Sequence, residues 1–128
     1  MKPLTNEWIE KAEGDYSTAS REIRARKSPN YDAVCFHSEQ CAEKYLKALL
    51  QEAEASFGRT HNLTALLELV VRVDPSWDLL RPQLQRLNAY SVSVRYPGEV
   101  TDKAMAREAL GLARAIRAEA RQKLGFSS

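Results

Sequence analysis

Tyr31–Gln51 reads YDAVCFHSEQCAEKYLKALLQ, a run without glycine or proline that is rich in alanine, leucine, glutamate and lysine. Those residues lose little rotamer freedom in a helix and favour it strongly. Pro29-Asn30 stands just before the run, and Asn30 is the expected N-cap because its short side chain can bond the free amides of a first turn. At about 100° per residue, Val34, Cys35, Cys41, Ala42, Tyr45, Leu46, Ala48 and Leu49 share one wide apolar arc. Phe36 and Leu50 fall outside it, and His37, Gln40, Lys44 and Lys47 make a narrow polar strip along one flank. A helix apolar on more than one side is buried by several neighbours. The stretch therefore predicts the central helix of a bundle, with its polar strip facing a groove or a partner.

The flanking sequence supplies the neighbours. Thr5 or Asn6 is the expected cap of a first helix in which Trp8, Ala12, Tyr16, Ala19 and Ile23 recur at three or four residues, reaching to about Lys27. Gly14 inside it costs about 1 kcal/mol relative to alanine, which close backbone packing there would offset. The central helix is expected to stop at Ser56-Phe57-Gly58, with Gly58 as a left-handed C-cap. Thr60 opens a third helix, Asn62 to about Val73, ended by Asp74-Pro75. Trp77, Leu79 and Leu80 form an apolar connector, and Pro82 suits the first turn of a fourth helix carrying Leu84, Leu87 and Tyr90. Ser91–Glu99 reads as a helix end running into a loop. Thr101 caps a last helix from Asp102 to about Leu124, striped by Met105, Ala109, Leu112, Ala113, Ile116 and Ala120 and ended by Gly125. The expected fold is all-α, an up-and-down antiparallel bundle of four long helices with one or two short ones, forming a single domain over residues 1–128 with its core at about 6–124.

Composition narrows the function classes. Hydrophobic residues at 44% and charged residues at 28% fit an ordinary globular chain, and a net charge of +2 does not by itself argue for nucleic acid. Between Asp78 and Glu99 the only charges are Arg81, Arg86 and Arg95, read first as solvated arginines. No apolar run approaches the roughly 20 residues of a membrane span, and the N-terminus lacks the apolar core of a signal peptide, so cytoplasmic residence is the expectation. Cys35 and Cys41 point in different directions on one helix and are expected to be reduced core residues. With two histidines and no Cys-x-x-Cys, neither a dedicated metal site nor a cofactor is expected.

The order of motifs is familiar. Trp8, Ala12 and Asp15 open it; Phe36-His37-Ser38-Glu39-Gln40-Cys41-Ala42-Glu43-Lys44 follows; then come RTHNLTALL at Arg59–Leu67 and LNAYSVSVRYPGE at Leu87–Glu99. The chain resembles the HEPN domain over about Asn6 to Leu124. That resemblance implies a bundle of four or five helices that usually dimerises and is often encoded beside a minimal nucleotidyltransferase. Many members are thought to bind nucleotides. Another branch consists of metal-independent RNases, frequently toxins of toxin–antitoxin pairs, with an arginine followed four to six residues later by a histidine. Here that motif is missing. The positions at that spacing are Asp32, Tyr31 and Asn30 before His37, and Ser56, Ala55 and Glu54 before His61.

The candidate ligand-binding residues are His37, Gln40, Lys44, Lys47, His61, Arg95 and Tyr96. In the strip, lysines offer charge to phosphate, and Gln and His offer directional hydrogen bonds; the competing reading is a solvated strip in which Glu43 pairs with Lys47 four residues on. His61 either bonds a helix end or meets a partner. Arg95 can grip phosphate while Tyr96 stacks on a base, or the same residues tie the loop to Glu43 or Asp15 and plug the bundle end. Phe36 and Leu50, outside the main arc, and Trp77, Leu79 and Leu80 in the connector are expected to be exposed and to mark a homodimer interface. Three functions stand. The preferred one is a non-catalytic homodimeric module binding a nucleotide or a nucleotidyltransferase. The second is a divergent metal-free RNase with His37 or His61 as acid/base and Arg95 stabilising the phosphorane. The third is a purely structural dimer.

Overall fold

The computed structural model describes residues 1–93 and 96–126, with side chains throughout except at 91–93. Five α-helices and one 3-10 helix occur among them: α1 (Pro3–Glu22), α2 (Tyr31–Glu52), α3 (Leu63–Val73), the 3-10 segment Pro75–Leu80, α4 (Arg81–Ser93) and α5 (Lys103–Lys123). The expected all-α fold is observed. Asn30 caps α2 through its side-chain oxygen, which accepts from the Ala33 amide at 2.9 Å.

Residue pairs fix the helix directions. α1 runs antiparallel to α2, with the Lys2 amide on Glu52 at one end and the Asn30 amide on Glu22 at the other. It is also antiparallel to α5, through Glu13–Arg117 and Tyr16–Arg114. After α2 the chain climbs back along it until His61 reaches Glu43, and α3 then descends beside α2. α4 returns antiparallel to α3, with Asn88 accepting from the Leu63 amide and Arg81 paired to Glu68. The helices α1, α2, α4 and α5 thus alternate in direction, and α2 sits among all the others, in contact with α1, α3, α4 and α5.

Several helix ends differ from expectation. α1 begins two residues before Thr5, because Pro3 is pre-set for a first turn and the Lys2 amide is satisfied by Glu52. Thr5 is buried inside the helix. α1 also stops at Glu22, not Lys27: three-residue bonds from Arg24 and Ala25 tighten the exit, and Ser28 takes a left-handed conformation at φ 45°. α2 ends at Glu52 before reaching Gly58; the left-handed residue is Glu54, at φ 57°, and the Ala55 amide closes on the Leu50 carbonyl at 2.9 Å. The caps of α3 and α5 are Asn62 and Asp102, two residues past the expected cap Thr60 and one past the expected cap Thr101. Gly125 ends α5 as expected, with Phe126 closing on Arg121.

The apolar connector is also redistributed. Leu50 and Trp77, expected at the surface, are buried within the protomer because α3 and the 3-10 segment fold over the C-terminal end of α2. Leu80 is half-buried, while Phe36 and Leu79 remain exposed at 47% and 81%. Among the described residues no helix is long and apolar enough to cross a membrane.

Gly14 is exposed and a Cβ there would meet nothing within 4 Å, so no close backbone approach compensates its helix penalty. Gly14→Ala is expected to raise unfolding stability by up to about 1 kcal/mol. Glu54→Gly, by relieving a left-handed non-glycine residue, should stabilise by a similar amount of about 1 kcal/mol. Urea unfolding of both variants checks this; a loss at either site would show that the local backbone reading is wrong.

Candidate functional site

α1 and α2 meet along a polar seam. Asp15, buried on α1, accepts from Lys44 Nζ at 2.5 Å through Oδ2 and stands 2.7 Å from His37 Nδ1 through Oδ1. On α2 itself, Glu43 does the same with a second pair. Its Oε2 accepts from Lys47 Nζ at 3.0 Å and lies 3.1 Å from His61 Nδ1. Gln40 sits between the two centres and donates to Glu39 at 2.9 Å and, more weakly, to Glu43 at 3.4 Å. The strip is therefore two carboxylates, each shared by one histidine and one lysine, with an amide bridging toward a third carboxylate.

Burial grades the members. Side-chain exposure is 73% at His61, 29% at His37 and 22% at Lys44, but only 6% at Lys47. Lys47 is thus closed off from a ligand: its ammonium is paired with Glu43 and faces the Trp8 ring at 5.4 Å. The Glu43–Lys47 pairing expected from spacing is present, as a buried contact instead of a solvated one. Of the two loop candidates, Tyr96 is 61% exposed, and Arg95 lies outside the described residues. Tyr96 therefore does not plug the bundle.

Sequence reasoning underweighted the acidic half of this seam. Asp15, Glu39 and Glu43 are all buried. Their signal was present in the pattern, since Glu39 and Glu43 lie four apart on the helix that carries the strip. Among the described residues the seam holds three carboxylates against two lysines, the imidazoles left out of the count. It offers fixed hydrogen-bonding edges and no surplus of fixed cation.

A second polar cluster braces the other flank of α1. Glu13 accepts two bonds from Arg117 at 2.7 Å each and one from the Tyr45 hydroxyl at 2.6 Å, joining α1, α2 and α5. The Arg117 guanidinium holds the Glu13 carboxyl below its ordinary value near 4.5, against the opposing effect of burial. Burial, reinforced by the Glu13 bond, pushes the Tyr45 phenol up. Burial likewise pushes the Cys35 thiol up to about 11 and the Cys41 thiol higher. Neither cysteine has the low-pKa surroundings of a nucleophile.

The HEPN domain family model matches residues 5–123. The chain belongs to the HEPN domain family. A solved structure described as an archaeal HEPN homologue is similar at a TM-score of 0.72 and 26% identity, covering 97% of this chain and 99% of its own. No curated protein matches.

Because the folded value of Glu13 is depressed, its contribution to stability is full above the ordinary carboxylate value near 4.5 and disappears as pH falls through the folded value. Glu13→Gln should therefore lower stability at pH 7 and make much less difference at about pH 3. Urea titrations at the two pH values test this; an equal loss at both would assign Glu13 a packing role only.

Proposed function

We propose that this HEPN chain is a non-catalytic binding module that works as a homodimer and engages a nucleotide, or a nucleotidyltransferase partner, through the α2 strip and the loop after α4. The observation that carries the proposal is the pairing of each histidine and each lysine of the strip with Asp15 or Glu43. Metal-free RNA cleavage needs uncompensated positive charge aimed at the phosphorane as well as an acid/base. Among the described residues of the seam both lysines are already neutralised, so they do not supply the first. What it does offer is the outer edges of His37 and His61, the amide of Gln40 and the exposed ring of Tyr96, groups suited to a base edge or a polar protein surface. Phe36, half-exposed and packed edge-on against His37 at 5.2 Å, gives a second copy an apolar contact beside the strip.

One observation favours the RNase alternative. Asp15 holds His37 by Nδ1, the arrangement by which a carboxylate orients an imidazole for proton transfer through its other nitrogen.

Calorimetry with ATP, GTP and a short single-stranded RNA, run beside a cleavage gel without metal, separates these readings. The expected result is nucleotide binding weakened by His37→Ala or Tyr96→Ala, with the RNA intact. Cleavage abolished by His37→Ala would replace the binding module with the enzyme. Sedimentation should show a dimer that Phe36→Asp dissociates; a wild-type monomer at micromolar concentration would remove the homodimer.

A further inference from the structure

The cations that the α2 strip lacks are found on another face. Between the C-terminal end of α1 and the N-terminal half of α5 two adjoining hollows of about 460 and 500 Å³ share Ile23, Arg24, Leu110 and Arg114 and so form one groove. Arg24, Lys103, Arg107 and Arg114 line it, all exposed, and among the described residues none of the four is paired with a carboxylate. This is unlike Lys44, Lys47, Arg81, Arg86, Arg117, Arg121 and Lys123, each of which has a carboxylate at 3.7 Å or less. The one carboxylate lining the groove is Glu13, already held by Arg117 and Tyr45.

Two of the guanidiniums are fixed in a particular way. Arg114 donates its Nε to the Tyr16 hydroxyl at 2.9 Å, and Arg24 donates its Nε to the Ser20 carbonyl at 3.0 Å. Each anchor uses the inner nitrogen and leaves the terminal pair for a ligand, the fork that matches two oxygens of a phosphate. On α5, Lys103, Arg107 and Arg114 fall on one face, about 6 Å and then about 10 Å apart along the axis. A row of separated charges suits a ligand with charge repeated along its length better than a single phosphate group. The large apolar and aromatic side chains lining the groove, Tyr16, Ile23 and Leu110, are half-buried or buried, so none projects as the exposed anchor that centres a protein interface.

We infer that this α1–α5 groove binds the phosphodiester backbone of a polynucleotide strand, without reading its sequence. The phosphates lie along the row on α5 and opposite Arg24, with the hydroxyls of Ser17 and Ser20 as further donors. The site shares no residue with the α2 strip, so it stands whether or not the strip binds a nucleotide.

Fluorescence anisotropy on a labelled single strand of about 20 nucleotides, as RNA and as DNA, tests the groove over a range of salt. The triple variant Arg24→Ala/Arg107→Ala/Arg114→Ala should weaken binding at least about tenfold and reduce the salt slope by about 2, the share of three phosphate contacts. Lys103→Glu with Arg107→Glu, two side chains without an internal partner, should weaken it similarly while leaving the melting temperature unchanged. Arg59→Ala/Arg72→Ala, off the groove, should have little effect, and so should His37→Ala. The inference is overturned by an absence of binding to either strand, by equal losses in the groove and control variants, by loss in His37→Ala, or by polyglutamate binding as tightly as the strand. The last result would make the groove a site for an acidic protein.

Discussion

Burial of α2 on almost every side is the constraint on which the rest depends. Thirteen of its 22 residues are buried, and four of those thirteen, Ser38, Glu39, Glu43 and Lys47, are polar or charged. A charge taken from water costs several kcal/mol unless it is matched in place. The matching dictates much of the surrounding architecture: α1 must present Asp15 at the height of His37 and Lys44, and the α2–α3 connector must climb until His61 meets Glu43. Burial of this kind is weak evidence of added stability, since an apolar pair often does as well. Its effect is on register, because sliding α1 by one turn against α2 would strand Asp15, His37 and Lys44 together.

The same pairing divides the surface by function. On the seam every lysine is compensated, and what projects outward is hydrogen-bonding edge and ring. On the α1–α5 face, Arg24, Lys103, Arg107 and Arg114 carry charge that nothing in the protomer answers. A net charge of +2 conceals this separation, because the total is a sum over faces that behave differently.

The fold was readable because helix periodicity and the capping asparagine at Asn30 are local signals, complete within a window of a few turns. The HEPN motifs were legible for the same reason. Helix ends were less so: Glu54, not Gly58, took the left-handed position, since the end of α2 is set by where Ala55 and the connector must pack as well as by glycine's tolerance. Leu50 and Trp77 are expected at the surface because each is covered by a segment distant in sequence, Leu50 by α3 and the 3-10 turn and Trp77 by the C-terminal ends of α2 and α5. The strip was found by its periodicity, but its charge balance was not, because Asp15 stands 29 residues from Lys44 and helix geometry relates only residues on one helix. The α1–α5 groove went unnoticed on similar grounds: Arg24 and Arg107 become neighbours of one hollow only after α1 and α5 pack.

The two thiols give the core its own reporter. Cys35 and Cys41 lie on the helix that every other helix touches, 1% and 0% exposed, with burial raising both thiols above their ordinary value. Thiolate is the form that an alkylating reagent attacks, so the folded protomer resists it both by exclusion and by protonation. Modification must wait for α2 to lose its neighbours. The alkylation rate therefore measures how often α2 is uncovered at these two positions, without any label being introduced.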